Sequence, residues 1–157
     1  MTSHTDTAVA ESLLDSFTAI VGPAHALRSE LDIAPYVSEP RGRYGGGPRL
    51  VVGPGGVAQG RRILNLASEN RTPVVPQGGN TGLVGGQMPD GSGREIVLSL
   101  SRLNRIREID LQSNTVTAEA GVILHALREA VDGVDRLFPL SLGSEGSCQI
   151  GGNLSSN

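Results

Sequence analysis

The chain contains no lysine and no tryptophan in 157 residues; all 13 basic residues are arginine. A phosphate-loop lysine, a Schiff-base lysine and a catalytic lysine are therefore excluded within it. Aromatic residues make up only 3%, too few for the stacking platforms that hold single-stranded nucleic acid. The net charge is −3, with none of the basic character that phosphate-backbone binding requires. No nucleic-acid partner is expected. Cys148 is alone, so there is no intrachain disulfide. His4, His25 and His125 are scattered, without metal-ligand spacing, and no metal site is expected. No apolar run is long enough to span a bilayer. Met1 to Asp15 lacks a basic region followed by an apolar stretch, so it does not read as a secretory signal. Together these absences predict a cytoplasmic protein.

What is abundant is glycine. There are 22, clustered at Gly45–Gly47, Gly53–Gly56, Gly78–Gly86 and Gly143–Gly152, where they mark loops. The length suits a single core, and the hydrophobic content of 38% suits a globular one. Leu13, Leu14, Phe17, Ile20 and Val21 follow helical spacing, which predicts a helix over 9–21 ended by Gly22-Pro23. Residues 1–8 read as frayed and 32–49 as irregular. Leu50 to Val52 and Thr72 to Val75 read as strands around a helix over 57–70. That unit suggests parallel pairing through a crossover. Strands at 96–100 and 115–119 are expected to extend the sheet, with a further strand at 105–109. Ile123, Leu124, Leu127, Ala130 and Val131 give a second amphipathic helix, and the chain from Phe138 onward reads as loop. The fold class is α/β (α+β): a small parallel or mixed sheet flanked by helices, with a second subdomain only begun.

Three stretches invite a functional reading. Gly53-Pro54-Gly55-Gly56 superficially matches a dinucleotide fingerprint between strand and helix. However, the acidic residue expected about 20 residues on is missing, and a plain Pro-Gly turn is the stronger reading. Pro76-Gln77-Gly78-Gly79-Asn80-Thr81-Gly82-Leu83-Val84-Gly85-Gly86 follows a β-branched strand. Little side-chain bulk lets ligand phosphates approach its backbone N–H groups. Gln77, Asn80 and Thr81, set among the glycines, suit a pyrophosphate and a ribityl chain better than bare turn chemistry. A glycine loop with no ligand is the competing reading. Gly143 to Asn153 forms the third stretch. Cys148 reads as a small buried residue rather than a nucleophile. Arg61, Arg62, Arg102, Arg105 and Arg107 read as solvated, and His125 as a solvated helix-face histidine. Arg41 and Arg43 are slightly better candidates for binding.

The run from Val74 to Gly86 resembles the first flavin-binding loop of FAD-linked oxidases with a PCMH-type (vanillyl-alcohol-oxidase-like) FAD-binding domain. Within that family it resembles the branch that holds D-lactate dehydrogenases, D-2-hydroxyglutarate dehydrogenases and the flavoprotein of glycolate oxidase. Ile96 to Ile106, Thr115 to Val122, and Phe138 to Leu142 running into Ile150-Gly151-Gly152-Asn153 carry the likeness further. Residues 30–157 are thus expected to form an FAD-binding domain, incomplete at its C-terminal end, after an N-terminal helical segment over 1–29.

The resemblance implies that the cofactor is FAD. Gly78, Gly79, Asn80, Thr81 and Gly82 would hold its pyrophosphate, within a loop that includes Pro76, Gln77, Gly85 and Gly86. Ser147, Gly151, Gly152, Asn153 and Ser156 would line the second wall. Relatives with covalent flavin often carry His where this chain has Asn80. An amide cannot attack the flavin methyl carbon, so the expected attachment is noncovalent. The family's cap domain supplies substrate arginines, metal-binding histidines and the base. None of these lies in this sequence, so no catalytic residue is expected here, and this stretch by itself is expected to be inactive and to bind FAD weakly. The expected activity of the longer enzyme is oxidation of a small 2-hydroxy acid by hydride transfer to FAD, with electrons passed to an acceptor. The alternative is a noncatalytic nucleotide-binding or assembly subunit. A substitution such as Gly79→Val is expected to cost flavin occupancy more than stability, by disfavouring a positive φ.

Overall fold

A computed structural model describes residues 4–39, 41–90 and 92–156. Helix α1, His4–Val21, presents Leu14, Phe17, Ile20 and Val21 to the core. Gly22, at φ 85°, ends it ahead of a short 3₁₀ turn at Pro23–His25. Strand β1 is Ala26–Leu27. Helix α2, Glu30–Val37, starts where the Ser29 hydroxyl accepts a hydrogen bond from the Asp32 N–H, with Glu30 and Asp32 in its first turn. The remaining elements are β2 Leu50–Val52, α3 Val57–Glu69, β3 Val74–Gln77, β4 Ile96–Ser99, β5 Ile106–Asp110, β6 Thr115–Ala118, α4 Leu124–Asp132 and α5 Ile150–Ser156.

The main sheet has the order β1-β2-β4-β3. β2, β4 and β3 run parallel, and β1 closes one edge antiparallel. Both faces are covered, which is why Leu50, Val51 and Val52 are all buried and show no alternation. Leu50, Val52, Ile96 and Leu98 face α1 and α3, packing with Phe17, Ile63 and Ala67. Val51, Val75 and Val97 face the other way, toward Ile33 of α2. The N-terminal helical segment therefore shares the core of the sheet.

The α/β class, the strand–helix–strand unit of β2, α3 and β3, and the second amphipathic helix match the sequence reading. Five details differ. β2 and β3 are parallel but not neighbours, because β4 inserts between them. β6 does not extend this sheet; it pairs with β5 in a separate antiparallel hairpin. The segment read as irregular contains α2, which tolerates Pro35 within it because the helix is short and well capped at its start. The loop-rich end contains α5. Of the segment read as frayed, residues 4–8 are helical and Met1 to Ser3 lie outside the described residues.

Candidate functional site

Because β2, β3 and β4 are parallel, their carboxyl ends lie along one edge of the sheet. Gly53–Gly56, Gly78–Gly86 and Leu100–Arg102 leave from that edge, the place where open α/β sheets bind ligands.

The second wall is brought to this edge by backbone pairing. Gly121 N–H donates to Leu103 O at 2.7 Å, Ile150 N–H to Val122 O at 2.9 Å and Gly151 N–H to Ala120 O at 2.8 Å. Ile123 and Gln149 form an antiparallel bridge. Gly151 needs its missing Cβ here: an added carbon would lie 2.8 Å from the Ala120 Cβ. The Glu119 carboxylate anchors this approach. Its Oε1 accepts from Arg105 Nη2 and Arg107 Nη2, both at 2.9 Å, and its Oε2 from the Arg105 N–H at 3.0 Å. These bonds, those of Arg105 first, hold its pKa down to about 2. Arg105 and Arg107 are thus ion-paired, not merely solvated.

The two glycine motifs, distant in sequence, meet directly. A Cβ on Gly79 would collide with the Ser147 carbonyl oxygen, and one on Gly78 would lie 3.2 Å from Gln149 Oε1. Gly79 is not in the left-handed region; Asn80 is, at φ 54°. The expectation for Gly79→Val is corrected accordingly: the glycine is required by backbone-to-backbone contact, so its loss disturbs the fold as well as any ligand.

Hydrogen-bond accounting separates the loop into two parts. The side-chain donors of Gln77 and Asn80 are spent inside the protein. Gln77 Nε2 donates to Tyr36 O and Gln87 O, both at 2.9 Å, and Asn80 Nδ2 to Ser38 O at 2.8 Å and Pro35 O at 3.2 Å. In contrast, no described group accepts a hydrogen bond from the backbone N–H groups of Gly78, Gly79, Asn80, Thr81 or Gly82. Nearly every buried polar group in a native protein is paired. Among the described residues, four buried side-chain atoms have no partner: Asn80 Oδ1, Gln149 Oε1 and Asn153 Nδ2, within the two motifs, and Glu39 Oε1, just after α2. A run of free N–H donors suits the acceptor oxygens of a pyrophosphate, and free amide groups suit hydroxyls and ring edges.

The other expected residues are placed as follows. Pro76 is exposed on the edge strand β3, where a missing N–H costs nothing. Thr81 and Gly82 are half-buried, and Gly82 O accepts from Gln87 Nε2 at 2.8 Å. Gly85, at φ 80°, lies against the Tyr44 ring, whereas Gly86 and Gly152 face open space. Ser147 is exposed, and the Ser156 hydroxyl donates to Gly152 O. Cys148 is buried. His125 is half exposed, within ion-pair reach of Glu129 and Glu145. The Arg43 N–H bonds the Glu39 carboxylate, while the side chains of Arg41, Arg43, Arg61 and Arg62 are exposed.

The sequence reading passed over Gln149, whose Nε2 donates to Ser101 Oγ at 3.3 Å, and Tyr44. It also took Arg102 for a solvated residue, although its Nη1 donates to Gly53 O at 2.7 Å. Gln149 stood inside a motif already singled out, whereas Arg102 carried no local signal. A cavity of about 220 Å³ between the β5–β6 hairpin and the end of α4 shares no residue with either loop. Among the described residues no cluster of His, Cys, Asp or Glu could hold a metal, and no helix is long and apolar enough to cross a membrane.

Comparison with known proteins agrees with this geometry. Residues 48–157 match the FAD binding domain family. The probable mitochondrial D-2-hydroxyglutarate dehydrogenase of rice (Oryza sativa subsp. indica) is 36% identical over 160 residues, covering 99% of this chain and 28% of the rice protein. The mitochondrial D-2-hydroxyglutarate dehydrogenase of Danio rerio is 45% identical over 102 residues, covering 65% of this chain and 18% of that protein. A D-2-hydroxyglutarate–pyruvate transhydrogenase of Saccharomyces cerevisiae is 34% identical over 143 residues, covering 90% and 28%. The chain thus spans less than a third of the length of these relatives.

Among solved structures, alkyldihydroxyacetonephosphate synthase superposes with a TM-score of 0.81 at 19% identity, covering 92% of this chain and 29% of that one. p-Cresol methylhydroxylase superposes at 0.63 and 18% identity, covering 80% and 25%. These likenesses establish the PCMH-type fold. The cytoplasmic expectation is overturned by the relatives, since the rice and zebrafish proteins are named mitochondrial. Composition could not have settled this, because an organelle address is read by a receptor and is separate from the folded core. From residue 48 onward, fold, glycine loops and sequence agree: this chain belongs to the FAD binding domain family, and its cofactor is FAD.

Proposed function

We propose that this chain is the FAD-binding part of a flavin-dependent oxidoreductase acting on a D-2-hydroxy acid of the 2-hydroxyglutarate or lactate type. The cofactor domain runs over 30–157, after a helical N-terminal segment whose described residues, from His4 on, pack on its sheet. The observation that carries this reading is the run of N–H groups from Gly78 to Gly82 without an acceptor among the described residues, beside the unpartnered Asn80 Oδ1, Gln149 Oε1 and Asn153 Nδ2. The named activities of the rice, zebrafish and yeast relatives supply the substrate class.

The backbone of Gly78–Gly82 holds the pyrophosphate, with Thr81 beside it. Ser147, Gly151, Gly152, Asn153 and Ser156 form the opposite wall, and Pro76, Gln77, Gly85 and Gly86 frame the loop. When bound, FAD supplies the two-electron acceptor for the hydride that leaves the substrate's α-carbon. The residues of this chain bind and orient that cofactor; substrate and final electron acceptor are met elsewhere in the longer enzyme.

Attachment is noncovalent. The Asn80 amide is tied to α2, Cys148 is buried, and neither loop contains a histidine. Titration of the longer enzyme, stripped of its flavin, with FAD, followed by flavin fluorescence and with FMN as the control, tests the reading. Saturable FAD binding with much weaker FMN binding is expected, because FMN lacks the pyrophosphate. Failure to bind FAD overturns the proposal. Acid precipitation is expected to leave all yellow colour in the supernatant, and colour in the pellet refutes noncovalent binding. For the longer enzyme, dye reduction with D-2-hydroxyglutarate and D-lactate tests the substrate class.

A further inference from the structure

The FAD loop is held from behind by a segment that lies before the matched family region. Asn80 is in the left-handed conformation at φ 54°, which an L-residue other than glycine keeps where side-chain bonds secure it. Those bonds run to Ser38 O at 2.8 Å and Pro35 O at 3.2 Å. Both carbonyls belong to the last turn of α2 or its cap, where no helical N–H is available to them. Asn80 therefore caps α2 from across the fold, and α2 in turn fixes the backbone angle of Asn80.

Gln77 repeats the arrangement at the base of the loop. Only 2% exposed, it divides its amide hydrogens between Tyr36 O and Gln87 O, joining α2 to both ends of the loop. Further along, the Tyr44 ring fills the space beside Gly85, with its Cδ1 2.7 Å from where a Cβ would sit. Gly46 packs directly on the carbonyls of Pro89 and Asp90. The segment from Pro35 to Gly46 thus touches the loop at its start, at its left-handed residue, at its second turn and at its exit.

We propose that residues 35–46 form the back wall of the cofactor site and set the course of the pyrophosphate loop. Asn80 and Gln77 are its positioning residues. Each directs its amide hydrogens to the wall, and the free backbone N–H groups are left for the cofactor. Order is shared in both directions: FAD fixes the loop, and the loop fixes α2 through Asn80. This inference rests on the FAD reading above.

Hydrogen exchange of the longer enzyme with and without FAD, in wild type and Asn80→Asp, tests it. Asp keeps the size and left-handed tolerance of Asn but loses both donors and turns an oxygen toward two carbonyls. In wild type, FAD is expected to slow exchange several-fold in 35–46 as well as in 78–86. Asn80→Asp is expected to weaken FAD binding about tenfold and to abolish the protection of 35–46. Tyr44→Ala, at a half-exposed position, is expected to weaken binding about threefold, and it serves as the test should Asn80→Asp fail to fold. FAD protection confined to 78–86 overturns the inference and makes Asn80 a direct ligand. Unchanged affinity in the variant that folds also overturns it. A longer wild-type enzyme that does not bind FAD overturns the FAD reading first, and this inference with it.

Discussion

Gly53–Gly56 and Gly78–Gly82 are both glycine-rich, both follow a parallel strand, and both leave the same edge of the sheet. Their hydrogen-bond accounts are opposite. In the first, the Gly55 N–H is taken by Gln59 Oε1 at 2.7 Å and Gly53 O by Arg102 Nη1 at 2.7 Å. The Arg102 guanidinium also fills the place of a side chain at Gly55, 2.7 Å from an added Cβ. That turn is satisfied by its own protein. In the second, five successive N–H groups have no acceptor among the described residues, and the amide hydrogens of Gln77 and Asn80 go to the backbone of α2, its cap and Gln87. Glycine content does not distinguish a turn from a ligand loop; the destination of each backbone donor does.

The comparison can be broken most severely at Gly79. Gly79→Val sets a branched side chain against the Ser147 carbonyl. It is expected to cost about 1–3 kcal/mol of stability or more and to abolish FAD binding, read by urea unfolding and fluorescence titration. Full stability with lost binding would mean that the loops separate without cost. Acid tests the second wall. Glu119 has its pKa lowered from 4.5 to about 2 by Arg105 and Arg107. A depressed carboxylate contributes stability that is complete above its unfolded pKa and is lost as pH falls through the folded value. The thermal midpoint is therefore expected to hold steady in this respect from pH 7 to about 5 and to fall between about 4.5 and 2. Glu119→Gln is expected to remove that part of the acid slope, and an unchanged slope would locate the acid sensitivity elsewhere.

Arg102→Ala sharpens the contrast from the other side. It is expected to lower stability by about 1 kcal/mol, the scale of one exposed hydrogen bond and its packing, while FAD affinity stays within twofold. A large loss of affinity would place the Gly53–Gly56 turn in the cofactor site. The smallest effect is expected at Gly152, inside α5 and facing open space. Gly152→Ala is expected to stabilise the chain by up to about 1 kcal/mol through helix propensity. Reduced FAD binding in that more stable variant would mark Gly152 as a contact on the second wall.

Much of the fold was legible because it rests on local signals. β2, α3, β3, β4 and α4 declare themselves through buried β-branched runs and helical spacing. α2 was hidden by Pro35, a residue that reads as a breaker yet is tolerated in a short capped helix. α5 was hidden by Gly151 and Gly152, whose low propensity is offset by the bonds that anchor its first turn, Ile150 N–H to Val122 O and Gly151 N–H to Ala120 O. The site was legible as a set of glycines and amides. What each amide does was not: the sequence offers Gln77 and Asn80 as ligands, and the fold directs their amide hydrogens to the backbone of α2, its cap and Gln87.

The sequence by itself determined the α/β class, the absence of lysine chemistry and the positions of both glycine motifs, because composition and periodicity are properties of neighbouring residues. Only the tertiary structure decided that β4 lies between β2 and β3, that Gly79 meets Ser147, and that Arg102 closes one glycine turn while the other keeps its donors free. Those outcomes depend on groups far apart in the chain that come together only when the sheet forms. A hydrogen bond's value is set by whether both partners are satisfied in the folded state, and no single stretch of sequence records that.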